Sequence, residues 1–213
     1  KNVAIKTNLE WSKKLGIAQS TAITCVKPSG TVSQLVNSAS GIHPRHNTNY
    51  VRRVRIDKKD PMYQFMVDQD VPVEDAIGKE DSTAILSFPI KAPKGSVLRN
   101  DLSALQQLEL WKVYAEHWCE HKPSITVYVK PEEWMEVGTW VDKNFDIISG
   151  ISFLPYDGGQ YLQAPYEDIT EEEYKDLKDK FPVIDWNSLS KYEEDDFTTG
   201  VKEYACTSGH CEI

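Results

Sequence analysis

The stretch TAITCVKPSGTVSQLVNSASG, residues 21–41, places a sharp turn between an apolar run and a helix-like pattern. The β-branched run at 21–26 predicts a buried strand, and a helix is predicted from about Ser33 to Ser40, closed by Gly41. Such a turn leaves unpaired backbone N–H groups at the start of the helix, which together with the helix dipole favour a bound phosphate. A capped helix start without a ligand is the alternative, and the residues alone leave both interpretations open.

The turn at Pro28–Thr31 matches neither of two familiar nucleotide-binding motifs. The sequence contains no G-x-x-x-x-G-K-[ST] loop and no G-x-G-x-x-G fingerprint. A phosphate site at this turn would therefore depend on backbone N–H groups and on hydroxyl side chains.

Predicted strands and helices alternate along the rest of the chain. Further strands are predicted at 50–56, 82–90, 124–129 and 148–155, and helices at 61–69, 101–121 and 131–145, with a last helix after Thr170 and Glu173. Ser103 and Gln106 have capping-box spacing ahead of the longest helix, although Asn100 or Asp101 is an equally good cap. The alternation indicates an α/β fold with mainly parallel strand pairing.

The composition limits the class of protein. The chain has 213 residues, a net charge of −9 and 40% hydrophobic residues, so it can build a real core. The negative charge argues against a nucleic-acid-binding surface over the whole molecule. No apolar run approaches the ~20 residues of a membrane helix, and the first residues do not resemble a signal peptide. We expect a cytoplasmic protein with neither nucleic acid nor membrane as a partner.

The C-terminal residues 187–213 form a segment of different character. They are acidic and hydroxyl-rich, so we expect a flexible tail. The tail carries Cys206 and Cys211 in C-x4-C spacing, which can close a small disulfide. An exposed dithiol favours disulfide exchange, while a zinc-site fragment with His210 and an idle tail remain the alternatives.

The other cysteines and the histidines carry weaker signals. Cys25 and Cys119 are interpreted as structural. His43 with His46, and His117 with His121, could in principle hold zinc, but their surroundings in the sequence offer no further ligands. No metal site is predicted.

Several segments, in the order in which they occur, resemble the catalytic chain of ribonucleotide reductases, especially the adenosylcobalamin-dependent class. They are KPSGTVSQLVNSASGIHPRH (27–46), QQLELWKVYAEHW (106–118), SITVYV (124–129), GISFLPYDGGQYLQAPYEDIT (150–170) and the terminal C-x4-C. The first and fourth segments together make the resemblance specific.

The resemblance implies that residues 1–186 form the C-terminal part of a ten-stranded α/β barrel, followed by the flexible tail 187–213. It also implies that backbone N–H groups and hydroxyls of one loop hold the phosphates of a ribonucleotide substrate. The residues of that loop are Pro28, Ser29, Gly30, Thr31, Val32 and Ser33. Cys206 and Cys211 would reduce the active-site disulfide and be recharged by a thioredoxin-like reductant.

The sequence also departs from the family's pattern. The loop Asn-x-Cys-x-Glu, which carries the radical-bearing cysteine, does not occur. We therefore expect the chain to be a piece of a longer reductase or half of a split one, inactive without the N-terminal part that carries this cysteine. The adjacent tyrosine pair of the diiron class is also missing, which favours adenosylcobalamin, bound largely by that N-terminal part. The position of the C-x4-C favours the triphosphate-reducing subtype.

Two other functions compete with the reductase. The chain could be a non-enzymatic nucleotide-binding or assembly subunit that completes a partner's barrel. It could also be a small disulfide-exchange protein, although it lacks the thioredoxin-type C-x-x-C.

Overall fold

The computed structural model describes residues 1–29, 32–156 and 162–193. This part of the chain divides into two compact units. The first contains residues 1–45 and the described residues from 95 to 156, and the second contains residues 46–94 and 162–193.

Helices and strands of unequal length make up the described chain. In chain order they are α1 (Asn2–Leu15), α2 (Val32–Leu35), β1 (Asn49–Asp57), α3 (Pro61–Asp68), β2 (Val73–Asp75), β3 (Thr83–Lys91), α4 (Ala104–His117), β4 (Ser124–Val129), α5 (Trp134–Lys143), β5 (Gly150–Pro155), β6 (Tyr166–Asp168) and α6 (Glu171–Lys180). Single turns of 3-10 helix lie at Pro131–Glu133 and Phe145–Ile147, and a longer one at Trp186–Lys191. The predicted mixed α/β class is confirmed.

The prediction of mainly parallel pairing is wrong. The larger sheet has the order β2-β3-β1-β6, and all its pairs are antiparallel. Parallel strands need a crossover of about a dozen residues or more, and the connection from Asp75 to Thr83 is too short for one. Among the strands of the described chain, β4 and β5 alone pair in parallel, and the chain between them has room for α5.

The core of the first unit lies between α4, α5 and the strand β4. Leu108 and Trp111 of α4 are fully buried, together with Val127 of β4. The indole N–H of Trp111 donates to the carbonyl of Pro123 at 3.1 Å, so its one polar group is satisfied inside the core. The predicted capping box begins this helix: Ser103 Oγ accepts from the backbone N–H of Gln106.

The second unit has its own core on one face of the antiparallel sheet. Phe65 and Met66 of α3 pack there with Leu86 of β3. Beyond the predicted boundary at Trp186, the ring of Tyr192 still lies 5.4 Å from that of Phe65. Residues 194–213 lie outside the described chain, so the boundary and the tail stay predictions.

The predicted strand at 21–26 is also wrong, because the main-chain groups of this segment bond to the end of α4. The carbonyl of Thr24 accepts from the backbone N–H groups of Glu120 and His121, and the Thr24 hydroxyl donates to the carbonyl of Trp118. Cys25, predicted to lie inside the strand, is exposed, whereas Cys119 is buried.

Candidate functional site

The described residues of the predicted phosphate loop hold one another through main-chain hydrogen bonds. The backbone N–H of Ser29 donates to the hydroxyl of Ser40 at 2.9 Å. The backbone N–H of Val32 donates to the carbonyl of Ser29 at 3.1 Å, and that of Ser38 donates to the carbonyl of Ser33 at 2.9 Å. Two N–H groups predicted to face a phosphate, those of Ser29 and Val32, therefore already have protein partners.

Gly30 and Thr31 lie outside the described residues, and Pro28 carries no backbone N–H. The phosphate-binding role of the stretch from Pro28 to Ser33 remains a prediction.

The helix after the loop is shorter than predicted. It spans Val32–Leu35 and not 33–40, and Asn37 adopts a left-handed backbone conformation with φ of +49°. Asparagine tolerates this conformation better than most residues, so it ends the helix early. A single turn has little dipole, so the predicted contribution of a helix dipole to anion binding is small here.

Gly41 brings the chain back against the start of the loop. Its φ is +59°, and a Cβ atom there would lie 3.1 Å from the carbonyl oxygen of Lys27. A side chain would therefore meet both backbone strain and a close contact. The prediction that Gly41 ends the helix is wrong, because α2 ends at Leu35. Gly41 instead allows two backbone segments to approach each other closely.

Arg45 holds the turn that follows α2. It is 4% exposed, and its guanidinium donates to the carbonyl of Ser38 at 2.6 Å and to Oδ1 of Asn37 at 2.7 Å. Its backbone N–H and carbonyl bond to Val97 and Arg99 of the following segment. The arginine thus ties the turn after α2 to the chain that enters α4.

His43 connects the loop to β4. The backbone N–H of Thr126 donates to its Nε2 at 3.0 Å, and its Nδ1 lies 2.8 Å from the carbonyl oxygen of Ser40. Burial lowers the pKa of His43 below its usual value, an effect partly opposed by the bond to Ser40. The imidazole is therefore neutral near pH 7, with its proton on Nδ1.

The hydroxyl of Ser29 is the polar group of the loop that needs an explanation. Its Oγ is buried, and within the described chain it has no hydrogen-bond partner. Buried polar groups are nearly always satisfied, so an unpaired one calls for an explanation, of which a bound ion is one. A cavity of about 410 Å³ is lined by residues 36–39, 43–45 and 96–97, which follow the loop in sequence, and Ser29 is not among its lining residues. Its volume is within the range of small-molecule sites.

The remaining predicted site residues, Cys206 and Cys211, lie outside the described residues. His46 belongs to the second unit, where its Nε2 lies 2.9 Å from Oδ1 of Asp168. Throughout residues 1–29, 32–156 and 162–193, no three His, Cys, Asp or Glu side chains come together as metal ligands would. No helix in those ranges is both long and apolar enough to cross a membrane.

Sequence reasoning missed the residues that hold the loop. The sequence pattern places Ser40 in the predicted helix and indicates no role for Arg45. Two local signals pointed to a turn: the run Asn-Ser-Ala-Ser-Gly is rich in turn formers, and Pro44 follows a glycine by three residues. The partners of these residues in β4 and near Val97 are distant in sequence, so no local pattern could identify them.

The comparisons with known proteins agree with the resemblance seen in the sequence. A crystal structure of a B12-dependent, class II ribonucleotide reductase matches with a TM-score of 0.73 and 27% identity, over 90% of this chain and 27% of that one. No family model matches the chain.

Two curated relatives are 31% identical to this chain. The adenosylcobalamin-dependent ribonucleoside-triphosphate reductase of Euglena gracilis matches over 196 residues, which are 89% of this chain and 26% of that protein. The probable enzyme of the same kind from Dictyostelium discoideum matches over 85% of this chain and 24% of its own length. The chain spans about a quarter of the length of the relatives it matches, and the predicted resemblance is confirmed.

Proposed function

We propose that this chain is part of an adenosylcobalamin-dependent ribonucleotide reductase, which converts ribonucleotides to deoxyribonucleotides by thiyl-radical chemistry. The likeness in sequence and fold to enzymes of that name over most of the chain supports the proposal. The assembly-subunit alternative is less well supported, since the matched relatives are named as enzymes.

The contribution of this chain to substrate binding is the loop from Pro28 to Ser33. The observation that carries this assignment is the buried, unpartnered hydroxyl of Ser29. A phosphate oxygen would supply the missing acceptor, and hydrogen bonds to charged groups are stronger than neutral ones. Hydroxyls of the loop then bind the phosphates, together with backbone N–H groups other than those of Ser29 and Val32, which already have partners.

The rest of the reductase has to supply the radical-bearing cysteine. This chain spans about a quarter of its relatives' length and lacks Asn-x-Cys-x-Glu. In the proposed enzyme that cysteine lies in the N-terminal part, and this chain completes the C-terminal part of a ten-stranded barrel. The parallel pair β4 and β5 is consistent with such a barrel.

Adenosylcobalamin would supply the radical chemistry when it is bound. The cavity of about 410 Å³ that residues 36–39, 43–45 and 96–97 line is far too small to hold a corrin by itself. We place the cofactor largely on the N-terminal part and assign no residue of this chain to it.

The tail would return electrons to the active site. In the proposed cycle, one thiolate of Cys206 and Cys211 attacks the disulfide left by substrate reduction, and the other resolves the mixed disulfide. A thioredoxin-like protein then reduces the tail. A mobile segment of ~20 residues has a root-mean-square span of about 25 Å, which lets it reach where a folded reductant cannot.

Nucleotide binding by the chain itself tests the loop assignment. We expect CTP to shift the amide NMR signals of the loop, while cytidine, which has no phosphates, leaves them unchanged. The 31P signals of CTP should broaden when the chain is added. Binding should be weak, because the chain holds only part of the substrate site. If CTP and cytidine give the same signal changes, or neither gives any, the loop is only a structural turn.

A further inference from the structure

A chain of hydrogen bonds runs from β4 through His43 to the start of the phosphate loop. Thr126 N–H donates to His43 Nε2, His43 Nδ1 bonds the carbonyl of Ser40, and the Ser40 hydroxyl accepts from the N–H of Ser29. All of these residues belong to the first unit.

We propose that His43 is the positioning residue of the phosphate loop, tying Ser40, and through it the backbone of Ser29, to strand β4. The proposal rests on the function proposed for the loop, and it assigns His43 no contact with the substrate.

The hydrogen-bond roles determine the form of the imidazole. The backbone N–H of Thr126 can only donate, so Nε2 must accept; the carbonyl of Ser40 can only accept, so Nδ1 must carry the proton. Only the neutral Nδ1–H tautomer satisfies both bonds, because an imidazolium has no acceptor. Burial of His43 favours this neutral form as well.

The loop needs such an anchor because its own secondary structure is slight. The helix α2 is a single turn, too short to impose a conformation on the residues before it. The N–H of Ser29 is used to fix the loop and not to bind an anion, which leaves the Ser29 hydroxyl for the ligand. A loop held in place before the ligand arrives binds it at a lower entropic cost.

Four variants of the full chain separate anchoring from simple packing. His43→Ala removes both bonds. His43→Asn keeps a donor near the position of Nδ1, and His43→Gln keeps an acceptor near that of Nε2. His117→Ala replaces an exposed histidine on α4 and serves as the matched control.

Three measurements follow on 15N-labelled protein. Imidazole nitrogen shifts of the wild type should show the proton on Nδ1 of His43 at pH 7. The amide of Ser29 should exchange with solvent faster in His43→Ala than in the wild type, with partial protection restored in His43→Asn. Affinity for CTP should fall about fivefold in His43→Ala, the equivalent of one neutral hydrogen bond, and stay unchanged in His117→Ala.

The possible failures are distinguishable. A proton on Nε2 in the wild type would overturn the anchor without any variant being made, and so would unchanged Ser29 exchange in a folded His43→Ala. If the wild type binds CTP and His43→Ala binds it equally well, His43 does not position the loop. If the wild type does not bind CTP, the proposed function fails, while the tautomer and the exchange rates still decide whether His43 anchors Ser29.

Discussion

Replacing Ser29 by alanine should separate the stability of this chain from its affinity for nucleotides. The hydroxyl that is removed is buried and has no partner in the described chain. The backbone N–H of Ser29, which donates to Ser40, is kept by alanine. The substitution therefore removes a polar atom that contributes nothing to folding and leaves the loop's own hydrogen bonds in place.

The two effects should have opposite signs. An unsatisfied buried polar group costs about 1–3 kcal/mol, so its removal should leave the free energy of unfolding unchanged or slightly higher. A lost hydrogen bond to a charged phosphate costs about 1.5–3 kcal/mol, so the dissociation constant for CTP should rise about 10- to 150-fold.

Urea denaturation measures the first quantity, and an NMR titration with CTP measures the second. Ser82→Ala is the matched control, because Ser82 is exposed and lies in the second unit. Its affinity for CTP should equal that of the wild type. An unchanged CTP affinity in Ser29→Ala would refute the assignment of this hydroxyl, and a loss of stability above 1 kcal/mol would show that it has a partner.

Three further predictions concern the glycine, the histidine and the tail. Gly41→Ala should lower the free energy of unfolding by more than Gly16→Ala. Both glycines have positive φ, but only at Gly41 would the Cβ atom meet backbone, at 3.1 Å. Equal losses of stability in urea denaturation would rule out the close contact. Burial lowers the pKa of His43 below 6.5, so the unfolded chain binds more protons just below that pH, and stability should fall as the pH drops through this window. His43→Gln should lose this part of the pH dependence between pH 7 and pH 5, and an unchanged slope would contradict it. In the reconstituted enzyme, Cys206→Ser or Cys211→Ser should stop multiple turnover driven by thioredoxin. Both variants should still complete a single turnover, and should turn over repeatedly with a small dithiol. Wild-type turnover with thioredoxin in either variant would show that the tail takes no part in the reaction.

The elements that the sequence predicts well are those set by local physics. The helix α4 begins where Ser103 and Gln106 predict a capping box. The helix α3 begins with Pro61 after the cap Asp60, and β1 (Asn49–Asp57) covers the strand predicted at 50–56. In each case, neighbours within one or two turns of chain decide the structure.

Strand pairing and the irregular segment at 21–26 could not be predicted in this way. An apolar, β-branched run becomes a strand only if a neighbouring strand accepts its hydrogen bonds. Here the end of α4 takes that place through Trp118 and Glu120, about 95 residues away in sequence. Helices between strands suggested parallel pairing, but the short connection before β3 allows only antiparallel pairing of β2 and β3, and β1 pairs antiparallel with both β3 and β6.

The position of the candidate site could be predicted from the sequence, but the contacts that hold it together could not. A Pro-Ser-Gly-Thr turn before a helix indicates where phosphate could bind. The contacts that hold this turn involve Ser40, His43 and Arg45, whose partners come from distant parts of the chain. The tail dithiol of Cys206 and Cys211 lies outside the described residues, so its role stays a prediction.

Deoxynucleotide formation tests the central claim most directly. The assay mixes this chain with the reductase part that carries Asn-x-Cys-x-Glu, and adds a ribonucleoside triphosphate, adenosylcobalamin and a dithiol. We predict product only when both parts and the cofactor are present, and none from this chain alone. Product from this chain alone, or a stable complex of the two parts that makes no product, would contradict the account.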